Sequence, residues 1–104
     1  MVLINGLSWK IKFVHPWDSV LIMRNGAYTI GMCDNQTRTI YLAENLEGQM
    51  LKKVLCHELV HAAMYSYQVK LKYDEEELLA ELIATYGEEI IEITNKIFKK
   101  LQSF

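Results

Sequence analysis

The stretch VLCHELVHAAMY, residues 54–65, carries the strongest structural signal in the chain. Its strongly polar side chains are His57, Glu58 and His61, and the flanking positions are apolar. A helix that is apolar on nearly every side is normally buried, and buried polar groups need partners. The pattern therefore predicts a buried helix, over about residues 47–67, that carries a polar site.

The two histidines of this stretch are four residues apart. On a helix that spacing places them about 40° apart around the axis and one turn apart along it. Both imidazoles can then bind one divalent cation, while Glu58 projects beside them toward a metal-bound water. We expect one Zn²⁺ ion held by His57 and His61. The alternative is a core helix with two hydrogen-bonded histidines and a surface Glu58.

Composition limits the remaining possibilities. The 104 residues predict a single domain, 1–104, and the net charge of −2 gives no basic surface for nucleic acid. No apolar run is long enough for a membrane span, and Cys33 and Cys56 form no CxxC pair. These features favour a cytoplasmic protein with neither a nucleic acid nor a membrane as partner.

The residues around the central helix divide into two parts. Residues 1–45 read as strands: a hairpin around Asn5-Gly6, then segments 27–33 and 37–42 joined by a turn. Residues 46–104 hold two helices, the second over about 74–101 with one apolar stripe. The sequence therefore predicts an α+β fold, with a small antiparallel sheet followed by the His-containing helix and a long C-terminal helix.

A tetrahedral zinc site with one water needs a third protein ligand. No histidine follows His61, so the candidates are acidic side chains at the start of the second helix. The same residues also suit a helix start, with Asp74 as N-cap and Glu77 as its capping-box partner. The residues alone leave five candidates open: Asp74, Glu75, Glu76, Glu77 and Glu81.

With HExxH at residues 57–61 and EELLAELIATYG at residues 76–87, the chain resembles the gluzincin metallopeptidases. It is similar in particular to small phage and bacterial proteins of that type, from Trp9 to about Ile91. In gluzincins a ligand Glu on the second helix is followed four residues later by an acidic residue that supports a ligand histidine. The resemblance implies a minimal zincin-like fold, Glu77 as third ligand and Glu81 as the supporting carboxylate. Apart from the resemblance, Glu76 is kept as the alternative third ligand.

The resemblance also implies an activity, namely zinc-dependent hydrolysis of a peptide or protein substrate with Glu58 as general base. The alternative is a zinc-stabilised interaction or regulatory module without catalysis. An accessory role in proteolysis on DNA is disfavoured by the lack of a basic surface. By analogy with zincins, residues 37–42 form either a substrate-pairing edge strand or an ordinary inner strand. The sequence does not choose a second oxyanion donor among His15, Tyr65, Tyr67, Tyr73 and Tyr86.

Overall fold

The structure, a computed structural model, describes residues 1–103. Its elements are β1 (Val2–Ile4), β2 (Leu7–Val14), a 3₁₀ turn (Ser19–Leu21), β3 (Gly31–Asp34), β4 (Thr39–Ala43), α1 (Gly48–Ser66) and α2 (Tyr73–Leu101). The α+β class and both helices agree with the sequence-based prediction. Among these residues, no helix has the combination of length and apolar character that crossing a membrane requires.

The four strands form one mixed sheet in the order β1-β2-β4-β3. The β1–β2 hairpin turns at Asn5 and Gly6, whose φ angles of 48° and 78° are those that an Asn-Gly turn favours. Strand β4 pairs antiparallel with β3 but parallel with β2. The prediction of a fully antiparallel sheet is therefore wrong. After the connection over residues 15–30, β3 lies at the edge of the sheet, and β4 returns between β3 and β2.

This topology also decides which strand lies at the edge beside the helices. Strand β4 lies between β2 and β3, so the proposal that residues 37–42 form an edge strand is wrong and the inner-strand alternative holds. The edge strand on that side is β3, which begins at Gly31 rather than at residue 27. In residues 1–103 no strand pairs with its outer edge, which lies on the side of the sheet nearest α1.

The core lies between the sheet and α1. Trp9, Ile40 and Leu42 from the sheet are fully buried against Val54 and Ala62 of the helix. The Trp9 indole Nε1 donates a 2.8 Å hydrogen bond to Ser66 Oγ, which ties the end of α1 to β2. This packing fixes the orientation of α1 about its own axis, and Glu58 is thereby directed toward β3.

Helix α2 runs antiparallel to α1 and packs on it through its polar face rather than its apolar face. Its acidic side faces α1, where Glu81 contacts Lys53 at 2.9 Å and Glu88 contacts Lys52 at 2.7 Å. The apolar stripe on the other side remains largely exposed to solvent. The N-cap is Lys72, whose backbone N–H donates a 3.0 Å hydrogen bond to Glu75 Oε1. The predicted capping box of Asp74 and Glu77 is therefore wrong, and the Glu77 side chain is free for another role.

Candidate metal centre

His57 and His61 lie in the middle of α1 and point toward the first turns of α2. Their Nε2 atoms are 3.3 Å apart. Two ligand atoms bound about 2.0–2.1 Å from one tetrahedral zinc lie about 3.4 Å apart, so the separation fits a shared ion. The helical spacing of four residues produces this geometry directly.

Glu77 supplies a third ligand atom at the same point. Its Oε2 lies 3.4 Å from His57 Nε2, and its Oε1 lies 2.6 Å from His61 Nε2. Ligand atoms of these three residues all lie within 4.8 Å of one another, so the group could hold a metal ion. The first distance matches a tetrahedral edge, whereas the second is a hydrogen-bond length that a bound ion would lengthen.

Glu76, the neighbouring carboxylate, approaches the opposite side of the His61 ring. Its Oε2 lies 2.5 Å from His61 Nδ1. A carboxylate at Nδ1 favours the tautomer with its proton on Nδ1 and the lone pair on Nε2, which is the form that binds a metal. The position of Glu76 therefore suits a residue that orients His61 better than it suits a third ligand.

Glu81 lies beside the other histidine, at a longer distance. Its Oε2 is 3.4 Å from His57 Nδ1. Its Oε1 is 2.9 Å from Lys53 Nζ and accepts a hydrogen bond from Thr85 Oγ1. The hydrogen bond from Lys53 is the main reason that the pKa of Glu81 is lower than that of an ordinary carboxyl group. Glu81 is thus placed to support His57, but it shares its charge with a lysine.

The two remaining acidic candidates of the helix start lie elsewhere. Glu75 Oε1 accepts the backbone N–H of Lys72 at 3.0 Å, so it caps the helix. Asp74 is exposed on the first turn of α2. The structure therefore brings Glu76, Glu77 and Glu81 to the histidines, and it leaves Asp74 and Glu75 outside the cluster of metal-binding atoms.

Glu58 is buried between α1 and the start of β3. Its residue is 8% exposed, and burial raises the pKa of its carboxyl group, with His61 and His57 opposing the shift and the Glu77 carboxylate adding to it. Such an increase in pKa makes a carboxylate a better proton acceptor near neutral pH. The alternative prediction of a surface Glu58 is therefore wrong, because the residue is buried.

Gly31 makes the close approach of β3 to Glu58 possible. A Cβ atom at Gly31 would lie 2.7 Å from Val54 Cγ1 and 3.1 Å from Glu58 Oε2. Real side chains do not tolerate the first of these distances, so glycine is required here for the strand to reach the helix. Sequence reasoning missed Gly31, because nothing local distinguishes it from a turn glycine.

A cleft of about 330 Å³ opens where these elements meet. The cleft is lined by His57, Glu58 and Glu77 from the helices and by the chain at Thr29 and Ile30. The tyrosines and the histidine proposed as oxyanion donors do not line it: Tyr65 packs edge-on against Trp9, His15 Nδ1 accepts the Trp17 N–H, and the others are exposed. Polar side chains that do line it include Thr29 and Lys53.

Comparison of the chain with protein-family models, with curated proteins and with solved structures found no match. The assignment of a function therefore depends on the geometry described above.

Proposed function

We propose that the protein is a zinc-dependent metallopeptidase that hydrolyses peptide bonds in a peptide or protein substrate. The observation that supports this proposal most directly is the convergence of His57, His61 and Glu77 beside the buried carboxyl group of Glu58. Three neutral or anionic donors suit Zn²⁺ and leave a fourth coordination position for chemistry. The resemblance of the HExxH and acidic motifs to gluzincins agrees with this arrangement.

The inward acidic face of α2 adds a second argument for a bound cation. Carboxylates that face another helix favour positive charge there, and the need is greatest for Glu76 and Glu77, whose side chains are only 28% and 38% exposed. Lys52 and Lys53 supply it along the first half of α1. Beside the imidazoles there is no lysine pair with Glu76 or Glu77 in residues 1–103, and a divalent ion fits that need.

The chain's own residues have distinct roles in the proposed reaction. A bound zinc ion would lower the pKa of a coordinated water toward about 7 and polarise the scissile carbonyl. Glu58 accepts the proton of the attacking water and returns it to the leaving amine. Glu76 holds the tautomer of His61, and the Lys53–Glu81 pair positions the outer side of His57.

The free edge of β3 gives this proposal a place for the substrate. An extended peptide can add to an exposed sheet edge by main-chain hydrogen bonds. At Gly31 the helix-facing side of β3 lies against Glu58, so a peptide paired with the adjacent edge runs close to Glu58, and the preceding residues Thr29 and Ile30 line the cleft. The peptide would therefore pass beside the metal residues. The free thiols of Cys33 and Cys56 are in keeping with action in a reducing cytoplasm.

Zinc content and hydrolysis, measured together, test this function. We expect wild type to bind one equivalent of zinc and to release new amino groups from unfolded casein. Glu58→Gln keeps the zinc and loses hydrolysis, whereas His61→Ala loses both. Glu47→Gln, an exposed change at the start of the same helix, serves as the matched control and behaves as wild type.

Two results would contradict the proposal. A protein that binds no zinc at pH 7.5 has no such centre. A protein that binds stoichiometric zinc but hydrolyses neither unfolded nor native proteins is the zinc-stabilised interaction module. In that protein, Glu58→Gln would leave every measured property of the metal form unchanged.

A further inference from the structure

Helix α2 carries an apolar stripe that the other described residues, within 1–103, leave exposed. We define the outer stripe as Ile83, Tyr86, Ile90, Ile93 and Ile97, whose spacing alternates between three and four residues. All five residues are exposed, with Ile90 and Ile97 each 53% exposed. The half-buried Leu79 extends the same spacing toward the N-terminus. Such a repeat, kept over about three heptads, is typical of a coiled-coil seam.

The second half of α2 also lacks support from the part of the chain that the structure describes. Helix α2 has 29 residues, or about 43 Å, whereas α1 has 19 residues, or about 29 Å. Because Lys52 near the start of α1 pairs with Glu88, the last turns of α2 extend beyond α1. Every described residue from Glu88 onward is exposed. A helical segment of that length gains most of its stability from packing, so a partner surface is expected.

Charge along α2 determines which partner fits and in which direction. Acidic residues dominate up to Glu92, and basic residues follow at Lys96, Lys99 and Lys100. Beside the outer stripe, Glu89 and Lys96 occupy equivalent flanking positions one heptad apart. In an antiparallel pair, Glu89 of each copy faces Lys96 of the other. In a parallel pair, both acidic halves and both basic halves lie together.

We propose that two copies of this chain associate through the outer stripe of α2, as an antiparallel helix pair centred between Ile90 and Ile93. Two Glu89–Lys96 contacts flank the centre. Glu81 and Glu88, which pair with Lys53 and Lys52 of α1, lie about 160–180° around α2 from the middle of the stripe. The second copy therefore approaches without meeting α1, and the metal centre of each copy stays open.

Analytical ultracentrifugation of the full chain from about 1 to 200 μM tests the association. We expect a reversible dimer in wild type. Ile93→Lys, at the centre of the stripe, raises the dissociation constant roughly a hundredfold, because two charges enter an apolar seam. The matched control is Ile91→Lys. Ile91 is 59% exposed but lies about 120° away from the middle of the stripe, so this variant dimerises as wild type does.

Charge reversal tests the direction of the pair. Glu89→Lys or Lys96→Glu alone places like charges opposite each other twice and weakens the dimer about fivefold or more at low salt. The double variant Glu89→Lys with Lys96→Glu restores the wild-type dissociation constant. A wild-type chain that stays monomeric at about 200 μM overturns the proposal. Equal effects of Ile93→Lys and Ile91→Lys, or a double reversal that does not restore the dimer, also overturn it. Circular dichroism confirms in each case that the variant is folded.

Discussion

Removal of the Glu76 carboxylate offers the sharpest test of how the proposed metal centre is organised. Glu76 lies 2.5 Å from His61 Nδ1, and the two side chains are only 28% and 12% exposed. Loss of a carboxylate that orients a ligand histidine typically weakens metal binding about 10–100-fold, or roughly 1.4–2.7 kcal/mol. Since the contact is short and shielded from water, we expect Glu76→Ala to fall within that range.

Glu81→Ala is the matched comparison on the same helix. The distance from Glu81 to His57 Nδ1 is 3.4 Å, the Glu81 side chain is 53% exposed, and its charge is shared with Lys53. Solvent screening reduces the value of such a contact. We therefore expect Glu81→Ala to weaken zinc binding by no more than about threefold. Glu77→Ala, which removes a proposed ligand, weakens it more than either variant does.

Competition with a chromophoric zinc chelator at pH 7.5 gives the three dissociation constants, and circular dichroism of each variant checks the fold. The order expected from the structure is Glu77→Ala, then Glu76→Ala, then Glu81→Ala, from the largest effect to the smallest. An effect of Glu81→Ala equal to that of Glu76→Ala would refute the reasoning from distance and exposure. A larger effect of Glu76→Ala than of Glu77→Ala would instead make Glu76 the third ligand.

Three further predictions concern the framework around the site. Gly31→Ala forces its Cβ against the Val54 side chain and lowers the free energy of unfolding in urea by about 1–3 kcal/mol; no measurable change would contradict the close approach. Burial, assisted by nearby carboxylates, raises the pKa of Cys33 to about 12 from 9.0. At pH 9, in a Cys56→Ser background, iodoacetamide therefore modifies the folded thiol at least about a hundredfold more slowly than the unfolded one, and equal rates would refute the shielding. Because the unfolded chain loses that proton first, stability falls as the pH rises from about 9 toward 12. Ser66→Ala removes the acceptor of a buried indole N–H and costs about 1–3 kcal/mol in thermal or urea unfolding, whereas an unchanged midpoint would mean that another acceptor replaces it.

The parts of this molecule that the sequence predicts are those that depend on neighbouring residues. The turn at Asn5-Gly6 follows from backbone preferences that these two residue types have in any hairpin. The approach of His57 to His61 follows from the pitch of one helix. Both features have a range of four residues or fewer along the chain, so the local pattern was enough to predict them.

Features that join distant segments of the chain could not be predicted from local sequence patterns. The parallel pairing of β2 with β4 depends on the path of residues 15–30, which has no regular pattern. The edge position of β3 and the need for glycine at residue 31 follow from that path. Strand order is a competition among non-local contacts, and the alternation of apolar and polar residues does not determine its outcome.

For α2, the sequence by itself determined that the helix has an acidic side and an apolar side, because side-chain periodicity on a helix is a local property. Only the tertiary structure decided that the acidic side faces α1 and that the apolar side faces outward. Hydrophobic burial alone would favour the reverse packing. The placement of Glu76 at His61 and Glu81 at His57 depends on the rotation of α2 against α1. That rotation is set by charges on both helices. Because these charges lie in two separate segments of the sequence, neither segment alone predicts the rotation.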